Sequence, residues 1–179
     1  TTFANNGEFV KPYFVSRIED KDGKVIYRNT PYRKVALAPE YNYVMVDLLI
    51  KSGGVSFLKV PAGGKTGTTN NYVDGWYMGV TPNLVVGTWV GGEDPWIRFL
   101  TMSTGQGSVM ARPFFVKYIN KLLDSPESDF KPDVQFQIPK GEMDIELNCA
   151  KFKEMMKSLN MDHSILPGGT KSEEDEIFE

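Results

Sequence analysis

The sequence predicts a mixed α/β fold of the α+β type, in which helices cover an antiparallel sheet. Three observations lead there. Three strand-like segments, 62–69, 74–81 and 83–91, are separated by only a few residues, "NNYVD" and then Pro82-Asn83. A parallel crossover needs about a dozen residues, so these neighbours are antiparallel. Next, the strands are apolar on at least one side: Trp76, Met78 and Val80 share one face of 74–81 with Gly75 and Gly79 opposite, and Leu84, Val86 and Val90 share a face of 83–91. Finally, segments of helical periodicity precede and follow the strands.

The elements follow in order. "YFVSRIEDKDGKVIYRN" reads as a hairpin, two β-rich arms around Asp22-Gly23, a turn pair that tolerates positive φ. A helix is predicted over 39–51, with Pro39 in its first turn and Tyr41, Val44, Met45, Leu48 and Leu49 as an apolar stripe. Gly53-Gly54 ends it. Ala38 stands where a capping Ser or Thr is expected. After the three strands, a second amphipathic helix runs over 112–124, with Pro113 in the first turn and Phe115, Tyr118, Ile119 and Leu122 inward. The remainder holds one helix near 149–159 and ends in "KSEEDEIFE", expected to be mobile.

Composition bounds the function. With 41% hydrophobic and 24% charged residues, the chain is globular. No run of eighteen apolar residues occurs, so this segment is expected to make no membrane contact. It opens on "TTFANNGEFV", which reads as the interior of a fold, and the chain is therefore treated as a piece of a longer protein. Residues 1–124 hold fourteen Lys and Arg against ten Asp and Glu, whereas 125–179 hold six against thirteen. That shift, at "DSPESDFKPD", divides the chain into a domain at 1–124 and an acidic extension at 125–179. The slight positive excess of the first part is too weak to argue for nucleic acid and is compatible with a small anionic substrate. Cys149 is alone, and His163 has no second His or Cys near it, so neither a disulfide, a metal nor a cofactor is expected. The chain is expected to stay folded without 125–179.

The decisive stretch is "PAGGKTGTTNNYVDGWYMGVTP", residues 61–82. A phosphate-binding loop needs Gly, four residues, then Gly-Lys-[Ser/Thr], between a strand and a helix. Counting back from Gly64, the first glycine falls on Lys59, and a strand hairpin rather than a helix follows Thr66. Both requirements fail. The other reading makes "KTGTT" an edge strand beside an acyl-transfer site. Thr66 and Thr68 are two apart, so their hydroxyls lie on one face and can bind a substrate carboxylate. Gly67 lets an extended peptide approach and pair as an added strand. Lys65 brings a positive charge that depresses a nearby hydroxyl's pKa and assists proton transfer. The Thr68 N–H can donate to an oxyanion. Lys-Thr-Gly alone occurs by chance in ordinary surface strands, so its context decides.

"FANNGEFVKPYFVSRIEDKDGKVIY", the helix at 39–51, "AGGKTGTT", "DGWYMGVTPNLVVGTWVGGED" and a helix from Arg112-Pro113 occur in that order. Over residues 1 to about 124 this resembles the C-terminal half of the transpeptidase domain of class A penicillin-binding proteins. The resemblance implies the C-terminal part of the penicillin-binding transpeptidase and serine β-lactamase-like fold. It implies D-alanyl-D-alanine transpeptidation of peptidoglycan through an acyl-enzyme that β-lactams mimic. Lys65 and Thr68 would be catalytic, and Lys65, Thr66, Gly67 and Thr68 would bind substrate. The implied partners are the stem peptide, β-lactams and the upstream half of the same protein, on the extracytoplasmic side of a membrane that an upstream segment spans.

That family uses Ser-x-x-Lys, Ser-x-Asn and Lys-Thr-Gly in chain order, the first serine being the nucleophile. Ser56 with Lys59 and Ser128 with Lys131 match the first pattern, and Ser158 with Asn160 the second. With ten Ser and fifteen Lys, about one chance match to the first is expected. Ser56 lies too close to Lys65, and Ser128 and Ser158 follow it, so the nucleophile is expected before Thr1. The alternative is a peptide- or wall-binding module without chemistry. Trp76, Trp89 and Trp96 are read as packing residues rather than a sugar platform, and Glu93-Asp94 as a solvated loop. "TGQGS" at 104–108 is read as a flexible loop bordering the cleft, with no assigned role.

Overall fold

The computed structural model describes residues 1–140, 143 and 145–159. His163, Asn160 of the Ser-x-Asn match and "KSEEDEIFE" lie outside the described residues. The strands are β1 Glu8–Val10, β2 Arg17–Glu19, β3 Val25–Arg28, β4 Arg33–Val35, β5 Gly63–Thr68, β6 Asp74–Thr81 and β7 Leu84–Gly91. The helices are α1 Pro39–Ser52, α2 Met102–Gly105, α3 Gly107–Met110, α4 Arg112–Asp124 and α5 Cys149–Ser158.

The three predicted core strands form an antiparallel sheet in the order β5-β6-β7, with β5 at an edge. Thr66 pairs with Tyr77, Thr68 with Gly75 and Gly64 with Gly79, while Gly79 also pairs with Val86 and Gly75 with Val90. Cross-strand partners share a face, so one face carries Thr66, Thr68, Tyr77, Val86 and Val90. Helices α3 and α4 cover this face. Phe115 and Ile119 of α4 are fully buried in a cluster with Val55, Tyr77 and Ala111, and Leu84, Val86 and Val90 pack against it.

The covered side of β6 is the reverse of the apolar alternation. Gly75, Tyr77 and Gly79 face the helices, while Trp76 and Met78 are half exposed. The reason is steric. A Cβ on Gly79 would lie 2.1 Å from the Phe115 ring, and one on Gly75 would lie 2.4 Å from Met110 Cε. The helices supply the bulk, and the strand supplies a floor. Tyr77 fills the gap between the two glycines, its ring 5.3 Å from that of Phe115. Its hydroxyl donates to the Gly53 carbonyl at 2.9 Å, tying β6 to the end of α1. Burial pushes this phenol up to about 12, against the pull of the Arg112 guanidinium, so it remains a donor.

Helix α1 matches its expected span and starts at Ala38 without a side-chain cap. Its buried positions, however, are Asn42 and Val46, and Tyr41, Met45 and Leu48 of the expected stripe are exposed. Asn42 is drawn in because its Nδ2 donates to the Phe3 carbonyl at 3.0 Å. In α4, Phe115 and Ile119 are inward as expected, but Tyr118 is exposed. The hairpin is β2-β3, closed by Asp20 Oδ1, which accepts from the Asp22 and Lys24 amides at 2.9 Å, with Gly23 at φ +81°. A second pairing, β1 with β4, has no counterpart in the sequence reading, because three-residue strands carry too little alternation to register.

The chain divides into compact units at Thr1–Gly141 and Glu142–Glu179. The first therefore continues past the composition change at 124/125. Phe130 packs against the core cluster, and Asn83 Nδ2 donates to the Lys131 carbonyl at 3.2 Å. Val134–Gln137 line a small cavity with Phe3, Asn42 and Val46. The core is still expected to stay folded without 125–179, but at a lower melting temperature. A chain ending at Asp124 is expected to melt several degrees below one ending at Lys140, since losing one partly buried Phe costs about 1–2 kcal/mol, or roughly 2–4 °C for each kcal/mol. Equal melting temperatures would show that residues 125–140 add nothing. In the second unit, the Asn148 side chain caps α5, accepting from the Ala150 and Lys151 amides.

Candidate active site

Strand β5 is positioned by the two glycines that precede its lysine. A Cβ on Gly63 would lie 2.7 Å from the backbone of Leu49 and Ile50 in α1. One on Gly64 would lie 2.4 Å from the Tyr77 hydroxyl. The strand thus runs between α1 and the core tyrosine, at a separation only glycine allows. Gly67 differs. An added Cβ there meets only Trp76 Cβ, at 3.4 Å, an ordinary contact. Nothing packed against Gly67 within the described chain requires it to be glycine.

The outer edge of β5 has no strand partner among the described residues. Lys65 and Gly67 lie on one face, with Met78 and Trp76 as cross-strand partners. The Lys65 side chain is exposed, and Nζ donates to the Thr66 carbonyl at 2.9 Å. Thr66 and Thr68 lie together on the other face, as the spacing predicts, and both line a groove of about 560 Å³. Lys65 is not part of that groove's lining, so the structure brings the two threonines together and places the lysine across the strand from them. Trp76 and Trp89, with ring centroids 6.5 Å apart, lie on the lysine's side of the sheet.

The turn after β5 forms the end of the groove. Thr69 closes it, its Oγ1 accepting from the Asp74 amide at 2.9 Å and its own N–H donating to the Asp74 carbonyl at 3.1 Å. Asn71 and Tyr72 follow with φ of 59° and 57°, the left-handed region that L residues seldom enter. Such strain persists where neighbours impose it. Here the Tyr72 carbonyl accepts from the Phe99 amide at 3.2 Å, and Tyr72 Cβ fills the space a Gly105 side chain would need.

The opposite wall is Met102, Gln106 and Ser108. The sequence reading gave these no role and treated 104–108 as a flexible loop. It is instead two short helices meeting at Gln106. The available signal was the pair of glycines on either side of Gln106, both buried.

The serine patterns do not form a catalytic helix. Ser56 and Lys59 lie outside any helix, in a segment turned by the Leu58 amide donating to the Val55 carbonyl. Ser128 accepts from the Phe130 amide in an irregular stretch, and Ser158 donates to the Met155 carbonyl in the last turn of α5. No group of three or more potential metal ligands occurs among the described residues, and none of their helices is long and apolar enough to cross a membrane.

No protein-family model matches the sequence. Individual proteins do. Penicillin-binding protein 1A of Aquifex aeolicus is 30% identical over 155 residues, which is 82% of this chain and 20% of that protein. The chain belongs with the class A penicillin-binding proteins. It spans about a fifth of the length of that relative. The crystal structure of Haemophilus influenzae penicillin-binding protein 1A superposes with a TM-score of 0.56 at 25% identity, covering 74% of this chain and 26% of that one. A penicillin G acyl-enzyme complex of Mycobacterium tuberculosis penicillin-binding protein A shares the fold, with a TM-score of 0.52 at 22% identity over 68% of this chain and 29% of the other. The mixed α/β architecture is thus that of penicillin-binding transpeptidases.

Proposed function

We propose that this chain supplies the substrate-binding strand of a peptidoglycan D,D-transpeptidase, which cross-links stem peptides by serine acyl transfer and is acylated by β-lactams. In this reading residues 1–124 are the C-terminal half of the transpeptidase domain, and 125–179 form an acidic extension. The single observation that carries the reading is the contrast among the glycines of β5. Gly63 and Gly64 are required by the fold, whereas Gly67 is not, and it lies on an open strand edge where an extended peptide can add as a further strand. Thr66 and Thr68 then receive the terminal carboxylate of a stem peptide or a β-lactam. Lys65 raises the positive potential where charge develops, and the Thr68 N–H donates to the oxyanion. The β-lactam partner is supported by the penicillin G complex of the M. tuberculosis relative. The nucleophile belongs to the upstream half of the same protein, on the extracytoplasmic side of the membrane.

The glycines give the test. In the parent protein, Gly67→Ala is expected to leave the melting temperature within a degree or two and to lower acylation by a fluorescent penicillin about tenfold, the cost of one obstructed strand contact. Gly64→Ala is expected to destabilise the fold outright, because Tyr77 cannot withdraw from a packed core. Full acylation of a stably folded Gly67→Ala protein would remove the added-strand role.

A further inference from the structure

The groove has a second wall, and one bond crosses from it to the reactive strand. The Gly107 amide donates to Thr68 Oγ1 at 3.0 Å. A hydroxyl has two lone pairs to accept with and one proton to give. This bond takes one lone pair, fixes Oγ1 in place, and leaves the proton for donation into the groove that Thr68 lines.

Gly107 reaches Thr68 only because it lacks a side chain. A Cβ there would stand 2.6 Å from the Gly67 carbonyl oxygen and 2.7 Å from that of Trp76. Both are backbone atoms of paired residues in β5 and β6, so neither can move aside without disturbing the sheet. The junction between α2 and α3 is itself held on the far side, where the Gln106 carbonyl accepts from the Val109 and Met110 amides at 2.8 and 2.9 Å. Gln106 Oε1 also accepts from the Ser108 hydroxyl at 3.1 Å. Gly107 therefore sits between a braced junction and the strand that carries Thr68.

We propose that Gly107 is a positioning residue for acyl transfer, holding Thr68 so that its hydroxyl proton points to the carboxylate of the bound stem peptide or β-lactam. The role rests on the transpeptidase reading above. It assigns Thr68 Oγ1 a donor's part toward the substrate, because its acceptor capacity is partly committed to Gly107.

The test uses the parent protein and measures penicillin acylation, separated into the binding constant and the acylation rate constant, together with melting temperature. Gly107→Ala and Thr68→Val are each expected to lower the second-order acylation rate about tenfold, the scale of one hydrogen bond. Thr68→Ser, which keeps the oxygen, should restore most of what Thr68→Val loses. The double variant Gly107→Ala with Thr68→Val should be no worse than Thr68→Val alone, since Gly107 acts only through the Thr68 hydroxyl. Losses that multiply, or Gly107→Ala acylating as the unmodified protein does, would overturn the proposal. If Gly107→Ala does not fold, hydrogen exchange at the Gly107 amide decides. Thr68→Val should accelerate it severalfold and Thr68→Ser should not, and equal exchange in all three proteins overturns the proposal. The unmodified parent protein separates this idea from its premise. If penicillin does not acylate it, the transpeptidase reading fails. If it is acylated and Gly107→Ala is acylated as fast, only the positioning role fails.

Discussion

Replacing Lys65 by alanine is expected to slow penicillin acylation of the parent protein by at least about a hundredfold, the cost of losing an electrostatic or proton-relay partner. The local structure makes this a clean substitution. The Lys65 side chain is exposed, and among the described residues it donates to the neighbouring Thr66 carbonyl. Strand β5 is held instead by its glycines, by its pairing with β6 and by the Gly107 contact with Thr68. Alanine should therefore leave the register and the melting temperature nearly unchanged, and the rate loss reports on charge rather than on folding. Lys65 lies across the strand from Thr66 and Thr68, so its loss leaves their placement untouched. The measurement is labelling by a fluorescent penicillin over time. Labelling of Lys65→Ala at the unmodified rate would contradict the role assigned to the lysine.

The sheet was legible because its signal is local. Short joints at 69–73 and 82–83 force antiparallel neighbours whatever surrounds them, and the structure returns β5-β6-β7 in that order. The same holds for the threonines, since alternation alone places Thr66 and Thr68 on one face. Facing was less legible. The Trp76 and Met78 side of β6 looks like core by hydrophobicity, yet the helices cover Gly75, Tyr77 and Gly79. Side-chain volume explains this: Phe115 presses so closely on Gly79 that only a glycine strand can receive it. The error in α1 has the same kind of cause, a long-range bond from Asn42 to Phe3 that no helical periodicity contains. The wall at Gln106–Ser108 was missed because its order comes from contacts with β5 and β6, about thirty to forty residues earlier in sequence. Isolated glycines read as flexibility in one dimension and as close packing in three.

Incubated alone with excess penicillin, this chain of 179 residues is expected to form no covalent adduct. Acylation requires a serine activated by a lysine one helical turn away and placed beside the Lys-Thr-Gly strand. Ser56 and Lys59 satisfy the spacing but lie in a turned segment with no helix to align them, and neither lines the groove of Thr66 and Thr68. Ser128 and Lys131 lie in an irregular stretch whose backbone is engaged elsewhere, the Lys131 carbonyl accepting from Asn83. Among the described residues Ser108 is the serine that does line the groove, but its hydroxyl donates to Gln106 Oε1, and Ala111 stands where the lysine would be. In the role proposed for them, Lys65, Thr66 and Thr68 orient a substrate and stabilise charge, but they do not supply the acyl-accepting oxygen. Removing the nucleophile from a serine hydrolase costs on the order of a millionfold in rate, which puts adduct formation beyond hours of incubation. The measurement is intact-protein mass spectrometry followed by peptide mapping. A stoichiometric mass increase on Ser56 or Ser108 would show that the chain carries its own nucleophile, and that the division of the site between this chain and an upstream half is wrong.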